Sequence, residues 1–279
     1  MVKILTDSTS DLSPDLVAQH DIGVIPLSVY IGGESIKDDF DFTSADLFAR
    51  VEDHGELPKT SAPSVSDFLS HFKAGEHSLY IGISSQLSAS VGNAQVAAQT
   101  FSEGRAYVID SHTLSSGIGL LALLAADLRD AGHDLGAITQ QVRAAVPRIK
   151  MSFVIDTMDY LYKGGRCSAL QHLAGSLLKL HPVIHALPDG SLDVKKTVRG
   201  SRERALRSLL DDFESDLDAI DLRRVFITHS AYPEGAEVLK AALLEMAPIE
   251  ELLITEAGAV VSSHCGPKTI GILYMTKSA

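Results

Sequence analysis

Short apolar runs alternate with helix-length segments through the first half of this chain, and that alternation constrains its fold more than any other feature. Residues 2–5, 22–30, 79–83 and 106–110 are strand-like runs rich in Val, Ile and Leu. Between them lie helix start signals: Ser13-Pro14, Ser44 before 45–51, Ser64 with Asp67 close behind it, Ser88 opening 88–100, and Ser115-Ser116 opening a long apolar helix to 128. Asp134 opens a further helix toward 149. A Ser at the N-cap accepts a free backbone N–H, and Pro at the first helical position has none to lose. Alternation of this kind favours a parallel sheet with helices on both faces.

The pattern changes after Met151. Residues 153–156 read as strand, and 158–178 as two short helices broken at Gly164-Gly165. Runs 182–187 and 192–198 flank Pro188-Asp189-Gly190-Ser191, a hairpin signal. Ser201 caps a charged helix, and strands at 225–228, 251–255 and 270–274 accompany a helix over 234–246. The expected fold is α/β in two domains. Residues 1–150 form a mostly parallel sheet flanked by helices, and 151–279 a smaller mixed-sheet α/β domain.

Composition narrows the function. With 279 residues, 45% hydrophobic and 22% charged, the chain is globular rather than disordered. A net charge of −12 argues against nucleic acid, whose binding rests on Lys and Arg neutralising phosphates. The two cysteines, Cys167 and Cys265, suit neither a metal motif nor a disulfide framework, which predicts a reducing, cytoplasmic setting. The opening residues lack a secretory signal pattern, and the longest apolar stretch, 117–126, is far short of the roughly 20 residues a membrane span needs.

Motifs for nucleotide, zinc or nucleophile-elbow chemistry are missing, and no cofactor or metal is expected. Gly117 and Gly119 lack the third glycine of a dinucleotide site and read as a close-packed helix start. Three hydroxyl clusters stand where loops enter helices: Thr60-Ser61 ahead of Ser64, Ser84-Ser85 through Ser88 and Ser90, and Ser115-Ser116. Helix N-termini offer free N–H groups, and added hydroxyls make a neutral cradle for a carboxylate or phosphate. Each cluster taken singly is explained by capping alone. In Lys163-Gly164-Gly165-Arg166 the glycines allow a sharp turn, and Arg offers a planar fork for an anion. In Ser262-Ser263-His264-Cys265-Gly266-Pro267 a rigid Gly-Pro loop carries a histidine able to donate to an oxyanion or to move a proton. Cys265 beside it reads as a small apolar filler rather than a nucleophile.

In this order the motifs resemble the DegV family of fatty-acid-binding proteins, which includes the carrier subunits of bacterial fatty acid kinase. The likeness runs from Thr6-Asp7-Ser8 through Lys59–Ser64, Ile83–Ser88, Val108–Ser111 with Ser116-Gly117, Tyr160–Arg166 and Arg199-Gly200 to Ser263–Pro267. The chain departs from the family pattern at Ala62, Ala89, Cys167 and Lys268, the last adding a charge near the expected mouth. The resemblance implies two α/β domains, with a long acyl chain in a tunnel and its carboxylate near the domain interface. It implies ligand-binding roles for Thr60, Ser61, Ser84, Ser85, Gly165, Arg166, Ser263 and His264. It further implies a long-chain fatty acid as ligand and a separate ATP-dependent fatty acid kinase as partner, with transient membrane contact rather than insertion. The chain itself is then a carrier, not an enzyme. Two other readings stay open: a lipid or small-anion sensor that serves no kinase, and a Ser/His acyl hydrolase, for which no nucleophile elbow or acid partner is evident.

Overall fold

A computed structural model describes residues 2–72, 77–101, 105–168 and 180–278. The first sheet is parallel throughout, in the order Ile22–Ile25 (β2), Val2–Asp7 (β1), His77–Gly82 (β6) and Ala106–Asp110 (β7). Ile4 sits opposite Ile22 on one side and Leu79 on the other. The mixed sheet carries six strands against four, although the sequence suggested the smaller sheet there. Its order is Leu192–Arg199 (β10), Leu180–Ala186 (β9), Ile149–Val154 (β8), Thr269–Thr276 (β13), Ile220–Ser230 (β11) and Glu251–Glu256 (β12). Among the described residues only the β11–β12 pair of this sheet is parallel; the expected hairpin is the antiparallel β9–β10 pair.

A third sheet was not expected. Residues 22–30 do not form one strand, because Pro26 has no N–H for a ladder and the chain turns there. The second piece, Ser28–Ile31 (β3), pairs antiparallel with Glu34–Lys37 (β4) and with Lys59–Ser61 (β5). β5 lies in a stretch with no periodicity of its own, so only its partner makes it a strand.

Five layers result. Val65–His71 (α3) and Ser90–Ala98 (α4) cover the outer face of the parallel sheet. Ser116–Asp130 (α5) and Leu135–Ala145 (α6) pack on its inner face, and α5 also touches β8, β11 and β13 of the mixed sheet. Arg202–Asp216 (α8) and Pro233–Met246 (α9) cover the far side. Successive strand residues point to opposite faces, and the cores divide accordingly. Ile4 and Ile81 join the central core, while Leu5 and Tyr80 pack under α3 and α4. Phe226 and Leu273 face α5, while Val225 and Ile272 face α8 and α9. A helix between two sheets has no polar side to give to water, so α5 is buried from Ser116 to Leu123. Among the described residues no helix is long and apolar enough to cross a membrane.

Candidate functional site

The short helix Ala259–Cys265 (α10) occupies what the sequence suggested was a loop. Its first N–H groups meet two buried carboxylates: Gly258 donates to Asp11 Oδ1 at 2.9 Å and Ala259 to Asp38 Oδ1 at 2.8 Å. Both acids are distant in sequence, so no local cap signal announces the helix. Its last turn places His264 beside β5, where His264 Nε2 and Thr60 Oγ1 are 2.7 Å apart. Asp159–Gly164 (α7) packs against α10 from the other side. A Cβ on Gly164 would lie 2.5 Å from His264 Nδ1, so this glycine is what lets the ring approach. Gly165 then ends α7 with a φ of 68°, in the left-handed region, which turns Arg166 toward the same place. Arg166 Nη1 donates to Gly164 O at 2.6 Å, and Nε to Leu87 O at 3.4 Å.

Thr60, Arg166 and His264 share the lining of one cavity of about 200 Å³. Its walls are Leu87, Leu114, Phe153, Leu161 and Leu192; Thr9 and Ser88 add hydroxyls. A smaller space of about 40 Å³ shares Leu114, Phe153, Val261 and Cys265 with it and continues toward Met151 and Leu273. The result is an apolar passage between the turn at 83–89, the residues just before α5, α10 and the mixed sheet, with a polar end at Thr60, Arg166 and His264.

The other expected site residues do not line this cavity. Ser61 is exposed, as alternation along β5 requires when Thr60 points inward. Ser84 is buried and its Oγ accepts the Gln86 N–H at 3.2 Å, closing a turn; Ser85 is exposed, with its N–H on Asp110. The same turn carries Ser88 and Ala89 round to the cavity. Ser263 Oγ donates to Ala259 O at 2.7 Å, and Gly165 acts through its backbone. Of the departures from the family pattern, Ala62 and Ala89 line the cavity, whereas Lys268 is exposed away from it. Ser88 belonged to a run noted in the sequence and Thr9 directly follows one, Thr6-Asp7-Ser8, but only the fold places them at the cavity.

Electrostatics favour neutral groups here. Burial, with the Arg166 guanidinium second, pushes His264 down to about 4, so the imidazole is neutral near pH 7. Its buried Nδ1 has no hydrogen-bond partner among the described residues. Among the described residues no carboxylate bonds it, as a hydrolytic triad requires. Burial pushes the Cys265 thiol up to about 12, which leaves it inert as a nucleophile. No cluster of three or more His, Cys, Asp or Glu able to hold a metal occurs among the described residues.

The fold and site define a five-layer α/β protein with an apolar cavity that ends in polar groups. The chain belongs to the DegV family, whose model, described as that of uncharacterised proteins, matches residues 1–277. It is 33% identical to a DegV domain-containing protein of Deinococcus radiodurans over 283 residues, covering 100% of this chain and 99% of the relative. Among solved structures it is similar to a fatty-acid-binding DegV family protein of Thermus thermophilus, with a TM-score of 0.91 and 31% identity over 99% of each chain. The fatty acid kinase B3 protein of Streptococcus pneumoniae, loaded with linoleic acid, shares the fold at a TM-score of 0.88 and 22% identity, over 99% of this chain and 100% of that one.

Proposed function

We propose that this chain binds a long-chain fatty acid with its tail in the apolar passage and its carboxylate at Thr60, Arg166 and His264. It then presents that carboxylate to a separate ATP-dependent kinase in the cytoplasm. The observation that carries the reading is the Thr60–His264 pair, 2.7 Å apart, at the polar end of an otherwise apolar cavity. Each buried CH₂ contributes roughly 0.8 kcal/mol before ordering costs. The carboxylate must then find donors, because an unpaired buried charge is strongly unfavourable. Thr60 and neutral His264 supply hydrogen bonds, and Arg166 supplies the compensating charge. Fatty-acid binding by the Thermus relative, at 31% identity over nearly the whole chain, supports the ligand class.

Presentation to a kinase rests on where the polar end lies. Gly165 and Arg166 are exposed while the leucine walls run inward, so a carboxylate held there is within reach of a second protein. In that step a carboxylate oxygen attacks the γ-phosphorus of ATP, ADP leaves, and an acyl phosphate forms for phospholipid synthesis. The kinase supplies the nucleotide, and the carrier needs no cofactor of its own.

Native mass spectrometry of the purified protein, before and after denaturation, tests the ligand. A stoichiometric fatty acid released only on denaturation is expected; a protein that is empty and takes up no fatty acid overturns the reading. Arg166→Ala is expected to retain the tail yet lower acyl phosphate formation by a fatty acid kinase about tenfold or more. Normal turnover by that variant removes Arg166 from the presenting site. Fatty acid bound in full, with no kinase able to phosphorylate it, would leave a sensor or transporter.

A further inference from the structure

A larger cleft lies elsewhere. It measures about 730 Å³ and shares no lining residue with the Thr60–His264 cavity. It lies between the end of α6, the start of β8 and the β9–β10 hairpin. His112, Arg143, Lys150, His185 and Lys195 line it, against a single carboxylate, Asp216. The chain as a whole has 36 Asp and Glu to 24 Lys and Arg, so this lining runs against its composition.

Asp216 is engaged by the Tyr274 hydroxyl at 2.8 Å. Lys195 pairs with Asp212 at 3.0 Å, and His112 Nε2 is 3.6 Å from Asp110. Among the described residues, Arg143 and Lys150 have no carboxylate within ion-pair distance, and Arg143 lies over the Tyr107 ring instead. His185 is held below its ordinary range by burial first and Lys195 next, with Asp193 and Asp212 opposing and Lys150 adding to the effect. Cations gathered in a concave, partly apolar site raise one another's energy, and an anion relieves it. Pro147, Ile149, Met151 and Leu187 give the lining an apolar part.

We propose that this cleft binds a soluble phosphate monoester that carries an apolar group. The phosphate, with close to two negative charges at neutral pH, meets Arg143, Lys150 and Lys195. The apolar group lies on Pro147, Ile149 and Met151. A lipid headgroup carries the same phosphate chemistry, but a concave site of this volume suits a whole small molecule better than a bilayer surface.

Phenyl phosphate is the probe, followed by amide NMR shifts of the full chain. Saturable shifts at Lys150, Met151, His185 and Tyr274 are expected, with inorganic phosphate and benzyl alcohol each binding more weakly. The double variant Arg143→Gln/Lys150→Gln, altered at two exposed rim positions, is expected to bind about tenfold more weakly. Its melting temperature and its fatty acid content should stay unchanged. Unchanged affinity in that variant, or shifts confined to other residues, overturns the proposal. Inorganic phosphate binding as tightly as phenyl phosphate overturns the apolar part. Binding to phosphatidic acid vesicles, without binding of phenyl phosphate, reassigns the cleft to a membrane headgroup and overturns the soluble ligand.

Discussion

Asp38 is buried against the N-terminus of α10, and its Oδ2 has no hydrogen-bond partner among the described residues. Burial raises it from 3.8 to about 6. The folded state therefore holds this proton more tightly than the unfolded state does. Its contribution is fully present below about pH 4 and is lost as pH rises through about 6, by about 3 kcal/mol in all. Asp7 and Asp11, also buried, are shifted the same way. Asp38→Asn keeps the Oδ1 acceptor and cannot ionise. Relative to the native chain, its melting temperature is expected to gain between pH 5 and pH 8; a difference that stays constant over that range would show that Asp38 does not titrate there. Gly164 makes a second residue-scale prediction. Gly164→Ala puts a methyl group 2.5 Å from His264 Nδ1 and should break the Thr60 contact. A loss of retained fatty acid on extraction is expected, with about 1–3 kcal/mol of destabilisation from overpacking. Retention at the native level would mean that the ring has room to move. The sequence singled out Arg166 and His264 as candidates by chemistry and by the family resemblance. It did not separate Thr60 from Ser61, because that distinction is the facing of β5, set by its pairing with β3.

Helix α5 is the element on which the layers depend. Gly119 lets it approach the segment after β1: a Cβ there would meet Leu12 Cδ2 at 2.9 Å and Ser10 O at 3.2 Å. Gly119→Ala is expected to destabilise by about 1–3 kcal/mol, although Ala is the better helix former. Gly92 in α4 has open space where its Cβ would stand, and Gly92→Ala should instead stabilise by about 0.5–1 kcal/mol. Chemical denaturation of the two variants checks the opposite signs; two changes of like sign would mean that contact does not decide. Elements with their own signals were legible. Ser13 and Ser64 cap where expected, the latter with Asp67 in a full capping box, and β7 spans the expected residues. The helix expected to open at Ser44 is capped one residue earlier, by Thr43 with Asp46. α10 and β5 were not legible. The first is capped by side chains more than 200 residues away in sequence, and the second is a strand only through its partner.

At the scale of the whole molecule, the central core joins Ile4, Leu79 and Ile81 of one sheet, α5, and Phe153, Phe226 and Leu273 of the other. Removing either sheet would expose one side of an apolar helix. The chain is therefore expected to unfold in a single calorimetric transition despite its two large sheets; two resolved transitions would show that the halves before and after residue 150 hold together independently. Sequence alone determined the kind and order of the elements that carry their own signals, and the chemistry of the motifs, because caps, apolar periodicity and turn residues act within a few positions of one another. Tertiary structure decided which hydroxyls face the cavity, that His264 is neutral, and that α5 lies between two sheets. Those outcomes depend on strand facing, burial and contacts between residues far apart in the chain, and no local pattern encodes any of the three.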